Sequence, residues 1–570
     1  MADLASNVAH TLRLVRETEL QEVPADTPEL RKARGAFFTP FEVTRYICDW
    51  AIRSASDRVY EPSCGEAEFL LAAGARLRSL GVDRVDGSRL RGAELHQASA
   101  QAALSALASE GMAAGIEVSD FFDVELTEGT FDAVVGNPPY VRYQAFHGDA
   151  RAKAQRAALS AGVRLTGLAS SWAAFTVRSA QLLRPDGRLG LVLPAELLSV
   201  KYAGPIRRFL TERFASVRLI MFDERIFPGV LAEVVLLLAE GQGPTDCIRV
   251  SQARNLDDLG EPPVSHWRPT TQEGKWTPAL LSTDVAEAYL ELLRAEAFTQ
   301  LDSWGGTDLG MVTGNNAYFC LSPQQASQLG LSKSELLAIS PPGSRHLRGL
   351  TLTRRAWSEL ADAGKRVLLF APRIQPGEPL SAAGRRYVAV GEAAGVQRAY
   401  KCRVRTPWWQ VPTVRTPDLL LTYMNHDTPR LVTNEAKVAY LNSVHGVTLG
   451  SEHRKVGRDL LPIGVLNSLT LLGAELVGRS YGGGLLKIEP KEADLLPVPS
   501  PDVLREAGRS LRELRPQLAK HLRSADLDGA VALVDRVLLA EQLGLRRSEI
   551  RELRDARLAL FARRVTRGAK

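Results

Sequence analysis

With 570 residues, 45% hydrophobic and 24% charged, the chain has an ordinary globular composition and enough length for about two to four domains. Five cysteines (48, 64, 247, 320, 402) at wide spacing without Cys-x-x-Cys argue against a disulfide framework. No signal-like N-terminus or bilayer-length apolar run appears, so a cytoplasmic protein with free thiols and no membrane partner is expected. The formal net charge is +6, and residues 341–430 hold 15 Lys or Arg against 6 Asp or Glu, so one stretch carries the whole basic excess; either a polyanion binds there or the stretch is a solvated basic face.

Residues 1–34 read as a charged helical lead-in. From 35 to about 240, short β-branched runs such as FDAVVGNP and GRLGLVLP alternate with Ala-, Leu- and Arg-rich helical stretches. This is the βαβ pattern of an α/β fold, a doubly wound, mostly parallel sheet. GQGPTD at 241–246 marks a boundary by its turn chemistry. Residues 246–500 have shorter strands, more turns and more Trp, Arg and Pro, as in a mixed α/β or mainly β domain. A helical pattern returns over 501–570. The expected divisions are therefore 1–34, 35–245, 246–500 and 501–570.

Ligands of open α/β sheets bind beyond the carboxyl ends of the strands. Glu61 ends the run RVYE, and Gly65 lets the backbone turn tightly after it; a plain strand–turn–helix junction reads the same way. Glu94 ends RLRGAEL, where a carboxylate can accept from ribose hydroxyls or simply sit in solvent. Asp120 closes IEVSD and can accept from an exocyclic amine or cap a helix. Phe121 beside it can pack on a ring. A fourth run ends in Asn137-Pro138-Pro139-Tyr140. The proline pair stops the strand and stiffens the corner, presenting one amide and one aromatic ring to a planar ligand. Each sign is weak singly; together they describe a site for an adenosine-containing cofactor beside a rigid platform.

In these motifs and their order the chain resembles the S-adenosylmethionine-dependent N6-adenine DNA methyltransferases of the restriction–modification type, in which the cofactor motifs precede the target-recognition region. The resemblance implies a Rossmann-like catalytic domain followed by a mixed α/β target-recognition domain and a C-terminal helical segment. GAFFTP at 35–40 matches the segment before the cofactor loop, placing Thr39 near the methionine end. EPSCGEAEF at 61–69 matches the cofactor loop, with Glu61, Ser63 and Gly65 as contacts. Glu94 and Asp120 match the ribose and adenine contacts, with Phe121 next to them. NPPY, residues Asn137, Pro138, Pro139 and Tyr140, matches the catalytic motif. Phe175 falls where the family packs a ring on the cofactor adenine, and Phe227 where it holds the flipped base opposite Tyr140. GRSYGGGLLKIEPKEADLLPVP at 478–499 resembles the segment closing the recognition region. One position departs: the cofactor loop's second glycine is replaced by Ala67, which is expected in an ordinary backbone region.

The resemblance implies direct methyl transfer to N6 of an adenine flipped out of double-stranded DNA, with no metal and no covalent nucleophile. KCRVRTPWWQVP at 401–412 interleaves Lys401, Arg403 and Arg405 with Trp408 and Trp409, as expected for DNA contact, core packing being the alternative for the tryptophans. TGNNAYFCLS at 313–322 is a second loop that can approach DNA. Gly482–Gly484 is not followed by Gly-Lys-Ser/Thr, so a P-loop is not expected. A monomer on DNA, with a separate cognate endonuclease or defence partner, is the expected setting. The alternatives are an amino-methyltransferase for RNA or a protein amide, and a DNA-binding specificity protein with an inactive methyltransferase domain.

Overall fold

The computed structural model of the protein describes residues 39–224, 226–227, 233–260, 262–269, 271–372, 380–481 and 483–568. The lead-in expected over 1–34 and residues 35–38 of GAFFTP lie outside the described residues. Two compact units meet at Gly274/Lys275.

In the first unit, α1 (Phe41–Ala51) precedes β1 (Val59–Glu61), α2 (Glu68–Ser79), β2 (Leu90–Glu94), α3 (Gln97–Ser109), β3 (Gly115–Val118) and β4 (Phe131–Gly136). Then come α4 (Gly148–Ser160), α5 (Ser171–Gln181), β5 (Leu183–Pro194), β6 (Phe214–Phe222), β7 (Val234–Gln242), β8 (Ile248–Ala253) and β9 (Val264–Trp267). The nine strands form one sheet in the order β3-β2-β1-β4-β5-β7-β6-β8-β9. β3, β2, β1, β4 and β5 run parallel, and β7 enters antiparallel between β5 and β6.

The central strands are continuous apolar runs because both faces are covered. On one face α1 and α2 bury Val43, Ile47, Phe69 and Leu70 in a cluster with Val135, Val192 and Leu236. The paired residues Leu191 and Leu237, one position out of phase, are equally buried and point to the other face. The apolar run VVLLLA at 234–239 is part of β7, a buried strand. No single helix among the described residues is long and apolar enough to cross a membrane.

The boundary expected at 245/246 is corrected. GQGPTD connects β7 to β8, and β8 pairs with β6 over six residues, so the first sheet runs on to Trp267. Gly241, at φ +71°, serves a tight connection within one sheet; glycine- and proline-rich turn chemistry is the same in such a connection and in a linker.

The second unit holds a five-stranded sheet in the order Gly305–Leu309, Val444–Leu449, Leu419–Thr422, Leu431–Asn434, Thr351–Leu352. A smaller sheet joins Cys320–Leu321, Leu368–Phe370 and Leu336–Ala338. The division expected at 500/501 is also corrected. Leu504, Leu511, Leu518, Leu538 and Leu553 share one core with Leu419, Val447 and Leu469, so the terminal helices are part of this unit's interior. The last helix, Arg547–Gly568, is fastened by Arg564, which is 4% exposed and pairs with the buried Glu475 at 2.8 Å. The same guanidinium donates to the carbonyl of Gly484. Gly484 has φ +70°, and a Cβ there would lie 3.1 Å from Val565 Cα, so the glycine run is where a helix packs directly on backbone.

Candidate active site

The parallel register brings four strand ends to one edge. Glu61 stands opposite Gly92 and Glu94 opposite Val118, while Gly136, the residue before Asn137, pairs with Leu191. After Glu61 the chain crosses towards β2, where the Cys64 amide donates to the Ala93 carbonyl at 2.9 Å. Gly65 then turns with φ +51°, and a Cβ there would meet nothing within 4 Å. Glu94 holds this turn: its carboxylate accepts the Gly65 amide at 2.9 Å and the His96 amide at 3.0 Å. With about four lone-pair sites, it retains capacity for two further donors.

Ala67 corrects the expectation of an ordinary backbone: it sits in the left-handed region at φ 77°, ψ 22°, immediately before α2. That conformation costs about 1–2 kcal/mol for a residue with a Cβ. Two features offset it. The Ala67 amide closes the turn on the Cys64 carbonyl at 2.7 Å, and its methyl is fully buried in the cluster of α1 and α2.

Glu61 is 3% exposed, and its Oε2 has no hydrogen-bond partner. Burial, and after it the neighbouring Glu94, push its carboxyl well above the usual glutamate range. A buried carboxylate with one unsatisfied oxygen asks for a cationic or donor group from outside the chain.

Asp120 follows β3 and accepts the Phe122 amide at 3.0 Å, closing a turn on its own backbone; no helix starts there, so the helix cap that was its alternative reading is not what it makes. Phe121 stacks on Phe175 of α5, with ring centroids 5.2 Å apart and planes at 26°. Phe122 stands edge-on to Phe175 at 4.9 Å. Asp120, Phe121 and Phe175 thus come together as expected. Phe122 completes the aromatic wall, and only its adjacency to Phe121 marked it in the sequence.

At the NPPY corner, Asn137 Nδ2 donates to Thr39 Oγ1 at 3.1 Å, so Thr39 and this corner meet. The Tyr140 hydroxyl lies 2.8 Å from Asn137 Oδ1 and 3.0 Å from the Val192 carbonyl of β5. Burial raises its pKa, keeping it a neutral donor. Among the described residues nothing donates to the Pro138 carbonyl. Ser171, the first residue of α5, clamps the far side. Its amide donates to the Val141 carbonyl at 3.1 Å, its Oγ accepts the Val141 amide at 2.9 Å, and its hydroxyl donates to the Pro139 carbonyl. Sequence reasoning missed Ser171, because a serine before a helical run signals only a cap.

Phe227, expected to hold a flipped base opposite Tyr140, belongs to the cluster against which Tyr140 packs. It is 4% exposed, beside residues 228–232 that lie outside the described set. Of the expected DNA contacts, Arg405 is turned inwards: its guanidinium donates to the carbonyls of Thr313, at 2.8 Å, and Val312. Trp408 and Trp409 are half-buried against the core that holds Tyr318 and Phe319, and the Trp408 indole donates to Glu392 at 3.1 Å. Arg405 is thus a structural group, and the two tryptophans share their surface between the core and the outside. Lys401 and Arg403 remain exposed.

Strand order 3-2-1-4-5-7-6 with acids at the first strand ends defines a class I methyltransferase fold. Comparison with known proteins agrees. The model of the family described as Eco57I restriction-modification methylase matches residues 93–227. That of the Type II methyltransferase M.Eco57I C-terminal domain matches 273–539. Both models describe restriction–modification methyltransferases, and the two matched stretches of the chain are similar to them. It is 22% identical over 486 residues to the Type II methyltransferase M.AccI of Acinetobacter calcoaceticus, covering 81% of this chain and 85% of the relative. Against M.XamI of Xanthomonas campestris pv. amaranthicola the identity is 24%, over 82% and 85%. M.XhoI of Xanthomonas vasicola is 32% identical over a shorter stretch, 34% of this chain and 40% of that one. Among solved structures, the Type IIL restriction-modification enzyme MmeI in complex with DNA has a TM-score of 0.53 at 12% identity, over 91% of this chain and 75% of that one, a likeness of fold.

Proposed function

We propose that the protein is a cytoplasmic, site-specific DNA methyltransferase that transfers a methyl group from S-adenosylmethionine to N6 of an adenine flipped out of double-stranded DNA. The observation that carries the reading is the Asn137–Tyr140 corner, an amide oxygen and an open Pro138 carbonyl held rigid by two prolines and by Ser171.

The residues present fit the cofactor. Glu61, with its unsatisfied buried oxygen, offers a partner for the cofactor's ammonium group. Glu94 has acceptor capacity left for ribose hydroxyls, and Asp120 stands beside the Phe121–Phe175 wall for the adenine edge. When bound, the cofactor supplies an electrophilic sulfonium methyl.

The protein's part is orientation. N6 of adenine is a poor nucleophile because its lone pair is delocalised into the ring. Asn137 Oδ1 and the Pro138 carbonyl each accept one N6 hydrogen, which favours a pyramidal nitrogen and frees the lone pair for in-line attack. Both acceptors are fixed beforehand, so little reorganisation accompanies the reaction. The Tyr140 hydroxyl keeps Asn137 Oδ1 in place, and its ring offers a face to the extruded base. Extrusion costs a few kcal/mol, comparable to the roughly 1–3 kcal/mol of one aromatic stack.

The test is expression in a host free of DNA methylation, followed by single-molecule sequencing of its genome. N6-methyladenine in one sequence context is expected, with its disappearance in Asn137→Ala. Methylation on a cytosine carbon, or unmodified DNA from a folded parent protein that binds the cofactor, rejects the reading.

A further inference from the structure

We infer that the exposed ring of Tyr400, framed by Lys401, Arg403 and the loop carrying Asn316, is a DNA-contact surface of the second unit, with Tyr400 as its stacking residue. The inference rests on the reading of the protein as a DNA enzyme and replaces Arg405, Trp408 and Trp409 as contacts.

Tyr400 is 65% exposed, and Val404, four residues on, is 62% exposed. A single exposed tyrosine needs no explanation. Here, however, two cations stand over the ring: Lys401 Nζ lies 5.6 Å and Arg403 Cζ 5.9 Å from its centroid. Neither makes an ion pair among the described residues. Between 381 and 415 there are seven Lys or Arg and one acid, Glu392, which accepts the Trp408 indole. Like charges gathered on a surface without internal counter-ions repel one another, and a phosphate backbone relieves that repulsion.

The loop at 313–316 lies directly against this segment. Gly314 has φ +87°, and a Cβ there would be 3.0 Å from Lys401 Cβ. The Thr313 hydroxyl donates to Asn316 Oδ1 at 2.6 Å, which fixes the exposed Asn316 amide in one orientation. The inward-turned Arg405 guanidinium ties the two segments together through the Thr313 carbonyl. An oriented amide, two cations without a carboxylate partner among the described residues and an exposed aromatic ring are the components that read base edges, neutralise phosphates and stack on an exposed base.

The experiment measures affinity of the full chain for a methylatable duplex by fluorescence anisotropy at several salt concentrations, with cofactor affinity by calorimetry as the check that each variant is folded. Tyr400→Ala is expected to weaken the duplex about tenfold or more, Tyr400→Phe to retain it, and cofactor affinity to be unchanged in both. The double variant Lys401→Gln/Arg403→Gln is expected to lower the slope of log affinity against log salt by about two phosphate contacts' worth, each about 0.9. A parent protein that methylates DNA while Tyr400→Ala binds as tightly as the parent, or while the double variant keeps the parental slope, overturns this inference alone. A parent protein that binds cofactor but neither binds nor methylates duplex overturns it together with the proposed function.

Discussion

The Tyr140 hydroxyl sits 2.8 Å from Asn137 Oδ1, so the ring that would receive a base also steadies the amide that would receive its amino group. Tyr140→Phe keeps the ring and removes this hydrogen bond. A net hydrogen bond is worth about 1 kcal/mol, so single-turnover methylation should slow about five- to tenfold with duplex affinity unchanged. Asn137→Ala removes an acceptor from the reacting nitrogen and should cost about a hundredfold or more. Rapid-quench transfer of labelled methyl measures both.

Glu61 predicts a pH dependence. Its folded pKa is raised by burial and then by Glu94, so the folded chain keeps a proton that the unfolded chain has already released. Without cofactor, its stabilising contribution is full below the ordinary glutamate value and is lost as pH rises towards the raised value. Glu61→Gln should remove this dependence and raise the melting temperature at neutral pH. Binding of a cationic ligand should expel the proton, seen in calorimetry as a binding heat that changes with the ionisation heat of the buffer. In Glu61→Gln that buffer dependence should vanish, and affinity should fall about tenfold or more.

Two neighbouring glycines separate conformation from contact. Gly483 has φ +77° with nothing within 4 Å of an added Cβ, whereas at Gly484 that atom would be 3.1 Å from Val565 Cα and 3.3 Å from the Arg564 carbonyl. Gly483→Ala should cost about 1 kcal/mol, the left-handed penalty alone. Gly484→Ala should cost more, because the backbone it meets cannot swing aside, and it should loosen the last helix. Urea unfolding with limited proteolysis reads both effects.

Arg564 and Glu475 are 4% and 5% exposed at their side chains. Arg564→Met leaves buried Glu475 without its hydrogen-bonded partner, with only the nearby Arg557 charge beside it, and should destabilise the second unit by about 2–4 kcal/mol. The double variant Arg564→Met/Glu475→Leu should recover much of that. A double variant no more stable than the single one in chemical denaturation rejects this account.

The meeting of the strand-end acids and NPPY at one sheet edge was legible because each directly follows an apolar run of a parallel, alternating strand–helix pattern. Ala67 departs from its backbone preference because a buried methyl, which no local pattern reveals, offsets the strain. The 241–246 segment was misjudged because a tight intra-sheet turn and a linker share their glycines and prolines. Around 401–412 the interleaving of bases and rings was real, but no local pattern says which ring faces inwards. Trp408 and Trp409 follow the core of Tyr318 and Phe319, leaving Tyr400 outside. Ser171 was invisible because its partners lie thirty residues upstream.

Ser171 and Phe175 are four residues apart on α5, one turn of a single rigid rod. Ser171 grips the Pro139–Val141 backbone, and Phe175 packs in the aromatic wall with Phe121 and Phe122. Because the two contacts share one helical turn, a ring settling against Phe175 is expected to be felt at the grip on Pro139. Thermodynamic reciprocity then fixes the outcome: whatever factor the cofactor adds to the affinity for duplex, the duplex must return to the cofactor, and loosening the grip in Ser171→Ala should bring both factors towards unity together.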